Sequence, residues 1–565
     1  MLAVTLNPGF VPILAGLLVL AAPRVARAPI MALAALTALW LLLDHEFGAA
    51  SAMAQMGLPV VLLNLDALNR IFGIALLIAL IFVAVYSGAR RNRYEDAAIL
   101  MLAGGAVSAL FVGDLVSFVA AAALAGLSAA WTVFASPVEG ANRAGVRLLI
   151  WHGLEGLLFL VGVALHITAG AASSVFARLD VTSMGGACIF AALLIRVGAP
   201  MAHVWLKDVV SHASAVGGAA LSVFTSMLGV YALARLFPAE PLLVPIGAAM
   251  IVIGAIYAAA QDDLRRAGAY ALTAQTGVCV ALIGVGSPLA LAAAEGHAFA
   301  AVLAFAALQM ALGAVLVRTG DARLSGFTGL ARAMPLTTLL MFVGGLAVAG
   351  APGFALYATQ TVALEATAQW ELRGVWLLIA ALSAMLFVSL ALRPALVAYR
   401  VVAKPSAFNE APFPMMLGTS LATFLSFAIG LAPRWLYDLM PAELAFQPFA
   451  IDRLAPQLEV LGVAGLAYLA LHYTALAPKT LPWRTLDIDA LYRGPAASAG
   501  RWAGVLLLRA YGAWQAGATR SGYAAGRLLG RVAKLCDQPF APRGVANAAQ
   551  LLSIGAILVI ILVFR

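Results

Sequence analysis

Charge and cysteine are scarce in this 565-residue chain. Only 10% of its residues are charged, whereas soluble domains carry roughly a quarter, so a soluble globule is excluded. The 3 cysteines, Cys188, Cys279 and Cys536, have no metal-binding or redox spacing, and two of them fall in apolar stretches as small core residues. No cysteine cluster or dinucleotide fingerprint is present. We therefore expect no cofactor, no metal and no catalytic centre in this chain.

Apolar residues dominate the chain. They make up 64% of it, and its mean hydropathy is +0.99. Stretches of about 20 apolar residues recur, which is the length of a membrane-crossing α-helix, and no ten-residue alternation indicates a barrel. We predict an all-α polytopic membrane protein with about sixteen spans, the first of them retained rather than cleaved as a signal peptide. The spans are predicted to begin near Val4, Pro29, Arg70, Ala97, Asp114, Gly145, Met184, Ser211, Leu242, Ala267, Pro288, Pro335, Gly374, Pro414, Pro456 and Asn547.

The net charge of +9 is distributed unevenly between the two sides of the predicted bundle. Arg and Lys concentrate in the connections after spans 1, 3, 5, 9, 11 and 13 and in the long segment after the fifteenth. Because positive connections stay in the cytoplasm, we predict a multi-pass protein of the cell's inner (plasma) membrane with both termini outside. Basic and aromatic residues do not alternate as in a nucleic-acid groove, so no nucleic-acid partner is expected.

Two helices are predicted to be broken at Gly and Pro. Residues 195–200 read IRVGAP within the seventh span, and residues 350–353 read GAPG within the twelfth. Such breaks free backbone carbonyls, which is tolerated at membrane depth only where protein or a wet cavity meets them. Each break alone is as consistent with a packing kink, but matched breaks in two halves indicate inverted repeats and a transport site. We therefore predict two inverted five-helix repeats.

These features divide the chain into six parts. The predicted parts are 1–96 with spans 1 to 3, 97–237 as the first repeat, 242–400 as the second, 405–476 with spans 14 and 15, 477–541 as an interfacial segment, and 542–565 as a C-terminal span. In the interfacial segment arginines recur between Leu, Val, Trp and Tyr, which predicts a lateral amphipathic helix on the cytoplasmic surface. That helix either clamps a neighbouring subunit or covers its own bundle.

Short motifs occur along the chain in a characteristic order. They are NLDALN at 64–69, HVWLKD at 203–208, GVYALAR at 229–235, QDDLRRAGAY at 261–270 and GHAF at 296–299. The ordered set resembles the antiporter-like proton-translocating membrane subunits shared by respiratory complex I (NADH-quinone oxidoreductase), membrane-bound hydrogenases and Mrp-type Na⁺/H⁺ antiporters, with the Mrp-type members the most similar. The resemblance implies membrane subunits, lipid and protons as partners, with Na⁺ as a second candidate ion. Lys207 stands where that family usually has proline.

The same resemblance shows which charges are missing. Family members carry buried Glu and Lys residues along the membrane midplane, where they form ion pairs and wet proton paths. Here the span 5 glutamate falls at Ala123, the span 7 lysine at Arg196, the span 8 lysine at Met227, the span 11 lysine at Ala301 and the span 12 charge at Gln360. Arginine stays protonated and cannot readily donate a proton. We therefore expect no complete proton path of the family's usual kind.

The remaining ionisable residues supply the candidate ion pathway. Glu155 and His152 share one face of the sixth span, and a charge at membrane depth costs about 3 kcal/mol or more. Glu155 is therefore expected either to pair with Arg196 or His152, or to make an interhelical hydrogen bond; for the lone histidines a structural role is favoured. The predicted pathway residues are His152, Glu155, Arg196, His203, Asp208, His297, Gln360 and Glu365. A surface ion-pair cluster is expected from Asp262, Asp263, Arg265 and Arg266.

Three functions are compatible with these observations. The favoured one is a structural, coupling or rerouted-path module of a multi-subunit ion-translocating complex. The second is a stand-alone secondary transporter that binds a small solute at the two breaks. The third is a membrane partner of a soluble enzyme that hydrates carbon dioxide or oxidises formate or hydrogen. The number of spans and the lateral basic segment favour a complex over a stand-alone transporter.

Overall fold

The computed structural model describes residues 6–55, 58–89, 92–169, 175–400, 409–442 and 444–474, together with four helical residues at 502, 505, 506 and 509. Apart from those four residues, the predicted interfacial segment over 477–541 lies outside this part. The predicted C-terminal span over 542–565 and Cys536 lie outside it as well.

Helices make up nearly all regular structure of the described residues. They are α1 (Phe10–Ala21), α2 (Arg24–Asp44), α3 (Ala67–Ser87), α4 (Arg93–Phe111), α5 (Leu115–Phe134), α6 (Ala141–Thr168), α7 (Met184–Val197), α8 (Val204–His212), α9 (Ala215–Phe224), α10 (Ser226–Leu236), α11 (Leu243–Ala260), α12 (Leu264–Val285), α13 (Pro288–Thr319), α14 (Leu330–Ala333), α15 (Pro335–Val348), α16 (Ala355–Gln369), α17 (Arg373–Leu386), α18 (Arg393–Ala398), α19 (Phe413–Leu431), α20 (Arg434–Tyr437) and α21 (Ile451–Tyr473). A 3₁₀ turn covers Leu324–Phe327, and a π-helical turn at Phe387–Leu392 joins α17 to α18.

The predicted polytopic all-α architecture is confirmed. Within the described residues, 12 helices or joined helix pairs are long and apolar enough to cross a membrane, and α1, α7 and α15 are shorter apolar helices. Together they account for the first fifteen predicted spans, and the sixteenth, near Asn547, lies outside the described residues.

Helix α13 lies at the centre of the bundle. It packs against α3, α9, α12, α15, α16 and α19. The most apolar stretch of its neighbour α12 is 100% buried, whereas that of α21 is only 17% buried, so α21 lies on the perimeter. Small side chains allow the close helix packing of the interior; for example, Gly254 of α11 lies directly against Ala274 of α12. Side chains of α13 therefore reach helices of both predicted repeats.

A β-hairpin between α2 and α3 was not predicted. Strand β1 (Gly48–Gln55) pairs antiparallel with β2 (Leu58–Leu65). β1 reads GAASAMAQ and has none of the β-branched or aromatic residues that indicate a strand, which is why residue patterns alone did not reveal it. The hairpin leads into Asp66, whose carboxylate caps α3 by accepting a hydrogen bond from the Asn69 N–H at 3.0 Å. The hairpin thus fixes the position of Asp66.

Both predicted helix breaks are present, and their backbones are alike. Gly198 after α7 has a φ of 73° and Gly350 after α15 has a φ of 67°, the left-handed region that glycine adopts without strain. The hydrogen bonds at the breaks run from Gly198 N to Ile195 O at 3.1 Å, from Ala199 N to Leu194 O at 2.9 Å, from Gly350 N to Ala347 O at 3.2 Å and from Ala351 N to Leu346 O at 3.0 Å. Each pair of bonds is a Schellman motif, and a proline follows each one, so neither helix can continue.

Candidate functional site

A buried cluster of His152, Glu155 and Arg196 lies between α6 and α7. Glu155 Oε1 accepts a hydrogen bond from Arg196 Nε at 2.7 Å, and Glu155 Oε2 is 2.8 Å from His152 Nδ1. The side chains of Glu155 and Arg196 are each only 4% exposed. The structure therefore brings Glu155 together with both partners that were expected for it.

Three helices, α6, α7 and α8, hold this cluster in place. His152 and Glu155 are one turn apart on α6 and share a face. Arg196 lies in the last turn of α7, where a positive side chain interacts favourably with the helix dipole. Trp205 of α8 ties the break to the cluster, because its Nε1 donates to Ile195 O at 3.0 Å and its ring lies 5.2 Å from that of His152.

Arg196 contacts helices α5 and α10 near two of the positions where the family resemblance leads one to expect a charge. Arg196 Nη2 donates to Ala122 O of α5 at 3.2 Å, next to Ala123, where the span 5 glutamate would fall. Gly229 of α10, two residues from the lysine position at Met227, packs against the aliphatic stem of Arg196. Arg196 thus contacts both the backbone of α5 beside Ala123 and the Glu155 carboxylate of α6.

A second charged group surrounds Asp208 of α8. Arg147 Nε of α6 lies 2.5 Å from Asp208 Oδ2, and His212 Nδ1 lies 2.7 Å from Asp208 O and 3.6 Å from Asp208 Oδ1. The Asp208 side chain is 5% exposed, whereas that of Arg147 is 35% exposed. This group therefore extends from the interior of the bundle to its surface.

Two further basic residues, at the start of α8 and within it, face aromatic rings. The His203 ring lies 6.4 Å from that of Tyr257 on α11 and 6.1 Å from that of Tyr270 on α12. Lys207 is buried, and its Nζ lies 5.5 Å from the centre of the Tyr270 ring, within cation–π range. The chain thus accommodates a lysine at the usual proline position by giving it an aromatic face, and it places ionisable groups where the two predicted repeats meet.

At the second break, neutral side chains bind the freed carbonyls. The donors come from α12, α17 and α21. They are Gln275 Nε2 to Val348 O at 2.9 Å, Ser383 Oγ to Ala349 O at 2.7 Å and Gln457 Nε2 to Gly350 O at 2.9 Å. Protein side chains thus satisfy the three carbonyls.

His297 and Gln360 belong to this neutral network. His297 lies 3.0 Å from Gln275 Oε1 through Nε2 and 3.3 Å from Thr359 Oγ1 through Nδ1. Gln360 Nε2 donates to Ser383 Oγ at 2.8 Å. None of the hydrogen-bonding partners that the described residues provide for His297 and Gln360 carries a charge. The second half therefore has no counterpart of the Glu155/Arg196 ion pair within this network.

Glu365 lies apart from these groups. Its side chain is 38% exposed near the end of α16, and its Oε2 is 3.6 Å from Arg453 Nη2. An exposed pair of this length contributes little to stability. In the described part of the chain, no hydrogen bond joins Glu365 to His297 or Gln360.

The prediction of a surface ion-pair cluster in the 261–270 motif is wrong for one residue, Arg265. Asp263 and Arg266 do form an exposed pair, at 3.6 Å. Arg265 instead is buried and donates from Nη2 to Ser214 O at 2.9 Å, and the Ser214 hydroxyl donates to the buried carboxylate of Glu95. Because α12 begins at Leu264, successive side chains already point to different sides, and Arg265 turns inward.

Sequence reasoning did not single out Arg147, Lys207, Glu95 or Glu295 as site residues. Each lies within or beside a predicted span, so a count of all charges in the spans would have found them, whereas only the family's positions were counted. Among the described residues, no group of three or more metal-ligating side chains comes together.

Comparison with known proteins gives both a family match and a fold match. Residues 114–387 match the family described as "NADH:quinone oxidoreductase/Mrp antiporter, TM". The chain is 31% identical over 313 residues to NADH-quinone oxidoreductase subunit N of Desulforudis audaxviator, a match covering 51% of this chain and 62% of that protein. It is 28% identical over 239 residues to NAD(P)H-quinone oxidoreductase chain 4 1 of Synechococcus elongatus, covering 38% and 44% respectively. The matches thus span about half the length of these relatives.

Solved structures share the fold at low sequence identity. A chain of the Mrp complex from Dietzia sp. DQ12-45-1b superposes with a TM-score of 0.67 at 18% identity, covering 81% of this chain and 97% of that one. A chain of respiratory complex I from Thermus thermophilus with bound NADH superposes with a TM-score of 0.66 at 21% identity, covering 80% and 99%. The architecture is therefore that of the antiporter-like membrane subunits.

Proposed function

We propose that this chain, whose residues 114–387 belong to the NADH:quinone oxidoreductase/Mrp antiporter membrane family, is a subunit of a multi-subunit ion-translocating complex. Its proton route is relocated to Glu155. The buried His152/Glu155/Arg196 cluster carries the proposal, because it joins two titratable groups to a fixed charge directly at a helix break. A charge so deep in a membrane bundle is costly and is usually retained for a function.

Opening and closing of the Glu155/Arg196 pair would control the proton. While the pair is closed, the guanidinium neutralises the Glu155 carboxylate, which then holds no proton. If α7 moves at Gly198 and draws Arg196 away, Glu155 becomes an uncompensated buried charge and takes up a proton, directly or through His152. Arg196 keeps its own proton throughout. It is therefore a positioning residue, and His152 and Glu155 carry the exchange.

The Asp208 group would connect the cluster to one membrane surface. Arg147 and His212 are partly exposed, at 35% and 20%, and both contact the nearly buried Asp208. Asp208 lies on α8, one turn beyond Trp205, whose ring faces His152. Protons would reach the interior along this side of α8, and the aromatic surroundings of His203 and Lys207 would couple α8 to α12.

The second half would then serve coupling rather than conduction. We propose that 97–237 and 242–400 are inverted repeats, a division supported by the matching Schellman breaks. When the two halves are aligned so that Gly198 matches Gly350, Arg196 matches Val348 and Asp208 matches Gln360. Charged positions of the first half are thus neutral in the second, where glutamine and serine hold the break closed.

We propose that the partners of this chain are other membrane subunits and lipid. The chain itself is proposed to lie in the plasma membrane with both of its termini outside. Purification in mild detergent tests the assembly: membrane subunits should co-purify, and a monodisperse single chain would support a stand-alone transporter instead. Cysteine labelling in intact cells tests the topology, with Glu46→Cys expected to react from outside and Glu139→Cys to be protected. The reverse pattern would overturn the orientation.

The proposed ion is the proton. Liposomes that contain the complex should dissipate an imposed pH gradient in potassium buffer as fast as in sodium buffer. A strict requirement for Na⁺ would instead indicate cation antiport.

A further inference from the structure

Glu295 is a second membrane-embedded carboxylate, and it lies outside the groups described above. It is located about two turns into α13 and is 6% exposed. Among the described residues, no group donates a hydrogen bond to its Oε2. A carboxylate this deeply buried is held either by a partner or by a proton, and a partner is missing on this oxygen.

The ion pair of Asp66 and Arg235 joins two helices that both pack against α13. Arg235 Nη2, at the end of α10, lies 2.5 Å from Asp66 Oδ2, at the start of α3. α13, which carries Glu295, packs against both α3 and α10. Arg235 Nε is itself buried without a hydrogen-bond acceptor in the described part of the chain. An unused donor on Arg235 and an unused acceptor on Glu295 therefore lie on two helices, α10 and α13, that pack against each other.

Exposure decreases along this group from the surface inward. The side chain of Asp66 is 34% exposed and that of Arg235 is 21% exposed, whereas Glu295 is buried. Asp66 caps α3 and Arg235 ends α10, so the group lies at the membrane surface opposite the loop that holds Asp263. Water can reach Asp66, whereas Glu295 is buried within the bundle.

We propose that Asp66, Arg235 and Glu295 form a proton-binding site in which one arginine is shared between two carboxylates. In the present arrangement Arg235 pairs with Asp66, and Glu295 carries the proton as a neutral acid. When Arg235 turns to Glu295, the O–H bond of Glu295 breaks and its electron pair stays on the carboxylate, which Arg235 neutralises. The released proton passes to water beside Asp66, which stays hydrated as a free anion. This inference rests on the proposed function in one respect: the proton released by Glu295 is taken to be one of those that the complex translocates.

Infrared difference spectroscopy of the purified full-length chain tests the site without measuring transport. Near neutral pH, wild type should show a carboxylic C=O band that disappears in Glu295→Gln and stays in Glu46→Gln, a control at an exposed carboxylate. Glu295→Gln should also unfold at the same temperature as wild type, because it replaces one neutral group with another. A carboxylic band of unchanged intensity in Glu295→Gln, or a clear loss of stability, would show that Glu295 carries no proton and would overturn the proposal.

Asp66→Asn tests the shared arginine while Glu295 is still present. Asparagine caps helices as well as aspartate does, so α3 should remain intact. Arg235, released from Asp66, should pair with Glu295, and the carboxylic band should be lost. A carboxylic band that is unchanged in Asp66→Asn would refute the sharing of Arg235 between the two carboxylates. If wild type showed a Na⁺-dependent carboxylate signal in place of the carboxylic band, the site would bind a cation instead of a proton. If liposomes showed no proton flux at all, the proposed function would fail while these spectra still decided the site.

Discussion

Neutralising Glu155 should destabilise the protein far more than neutralising its partner Arg196. Glu155→Gln keeps the shape of the side chain but leaves the Arg196 guanidinium, 4% exposed, without a counter-ion. Breaking a buried ion pair in this way costs about 3–5 kcal/mol. Arg196→Gln leaves Glu155 with His152, 2.8 Å away, which can take up a proton and remain as a counter-ion. We therefore expect only about 1–3 kcal/mol for Arg196→Gln, the cost of a lost charge-assisted hydrogen bond.

The double variant measures the interaction itself. In Glu155→Gln with Arg196→Gln, two amides face each other and no buried charge remains unpaired, so part of the lost stability should return. A coupling energy of about 2 kcal/mol is expected, since contacting residues usually couple by about 0.5–3 kcal/mol. The assay is the free energy of unfolding in mixed detergent micelles, measured for wild type, both single variants and the double variant.

An exposed pair provides the control for this cycle. Arg434 and Asp438 are 3.8 Å apart and are 89% and 69% exposed, so Asp438→Asn should change stability by less than about 0.5 kcal/mol. Additive effects of Glu155→Gln and Arg196→Gln would show that the two side chains do not interact. A smaller loss for Glu155→Gln than for Arg196→Gln would refute the role given to His152.

Three further predictions concern the helix breaks. Gly198→Ala should cost about 1–2 kcal/mol of unfolding free energy because of its positive φ, and Gly350→Ala should cost more, since the added methyl group would also collide with the Gln360 amide. Gln457→Leu should cost about 1–3 kcal/mol by leaving the Gly350 carbonyl unpaired, whereas the exposed Gln369→Leu should be neutral. Trp205→Phe should cost about 1 kcal/mol of unfolding free energy through the lost hydrogen bond to Ile195 O. The infrared band of a ¹³C-labelled Ile195 carbonyl should shift in this variant, and an unshifted band would contradict the contact.

The helix breaks and the Glu155/Arg196 pair could be predicted because the sequence offers few alternatives. The GAP tripeptide limits where a helix can continue, so both breaks followed from backbone chemistry. The pairing of Glu155 followed from scarcity, because a chain with so few membrane charges leaves a buried glutamate hardly any candidate partner. Local rules and a small inventory were enough in both cases.

The remaining features depend on contacts between distant parts of the chain. Gln457 reaches the Gly350 carbonyl across 107 residues, and a neutral amide in an apolar helix gives no sign of such a partner. Glu295 lies directly before the GHAF motif, yet nothing in that motif shows that its helix packs against α3 and α10, the helices of Asp66 and Arg235. The inward turn of Arg265 depended on a helix start that could not be placed to within one residue from sequence.

Proton flux through the assembled complex tests the relocated route most directly. Complexes purified with wild type, Glu155→Gln or His297→Ala are reconstituted at equal protein content, and the decay of an imposed pH gradient is followed by a dye inside the liposomes. Subunit composition is checked in each preparation. We expect Glu155→Gln to lower the flux about 100-fold or more, the range that removal of a positioned proton-transfer group produces, and His297→Ala to leave it unchanged. Flux that survives Glu155→Gln in an intact complex, or that is lost in His297→Ala, would contradict a proton route through the first half.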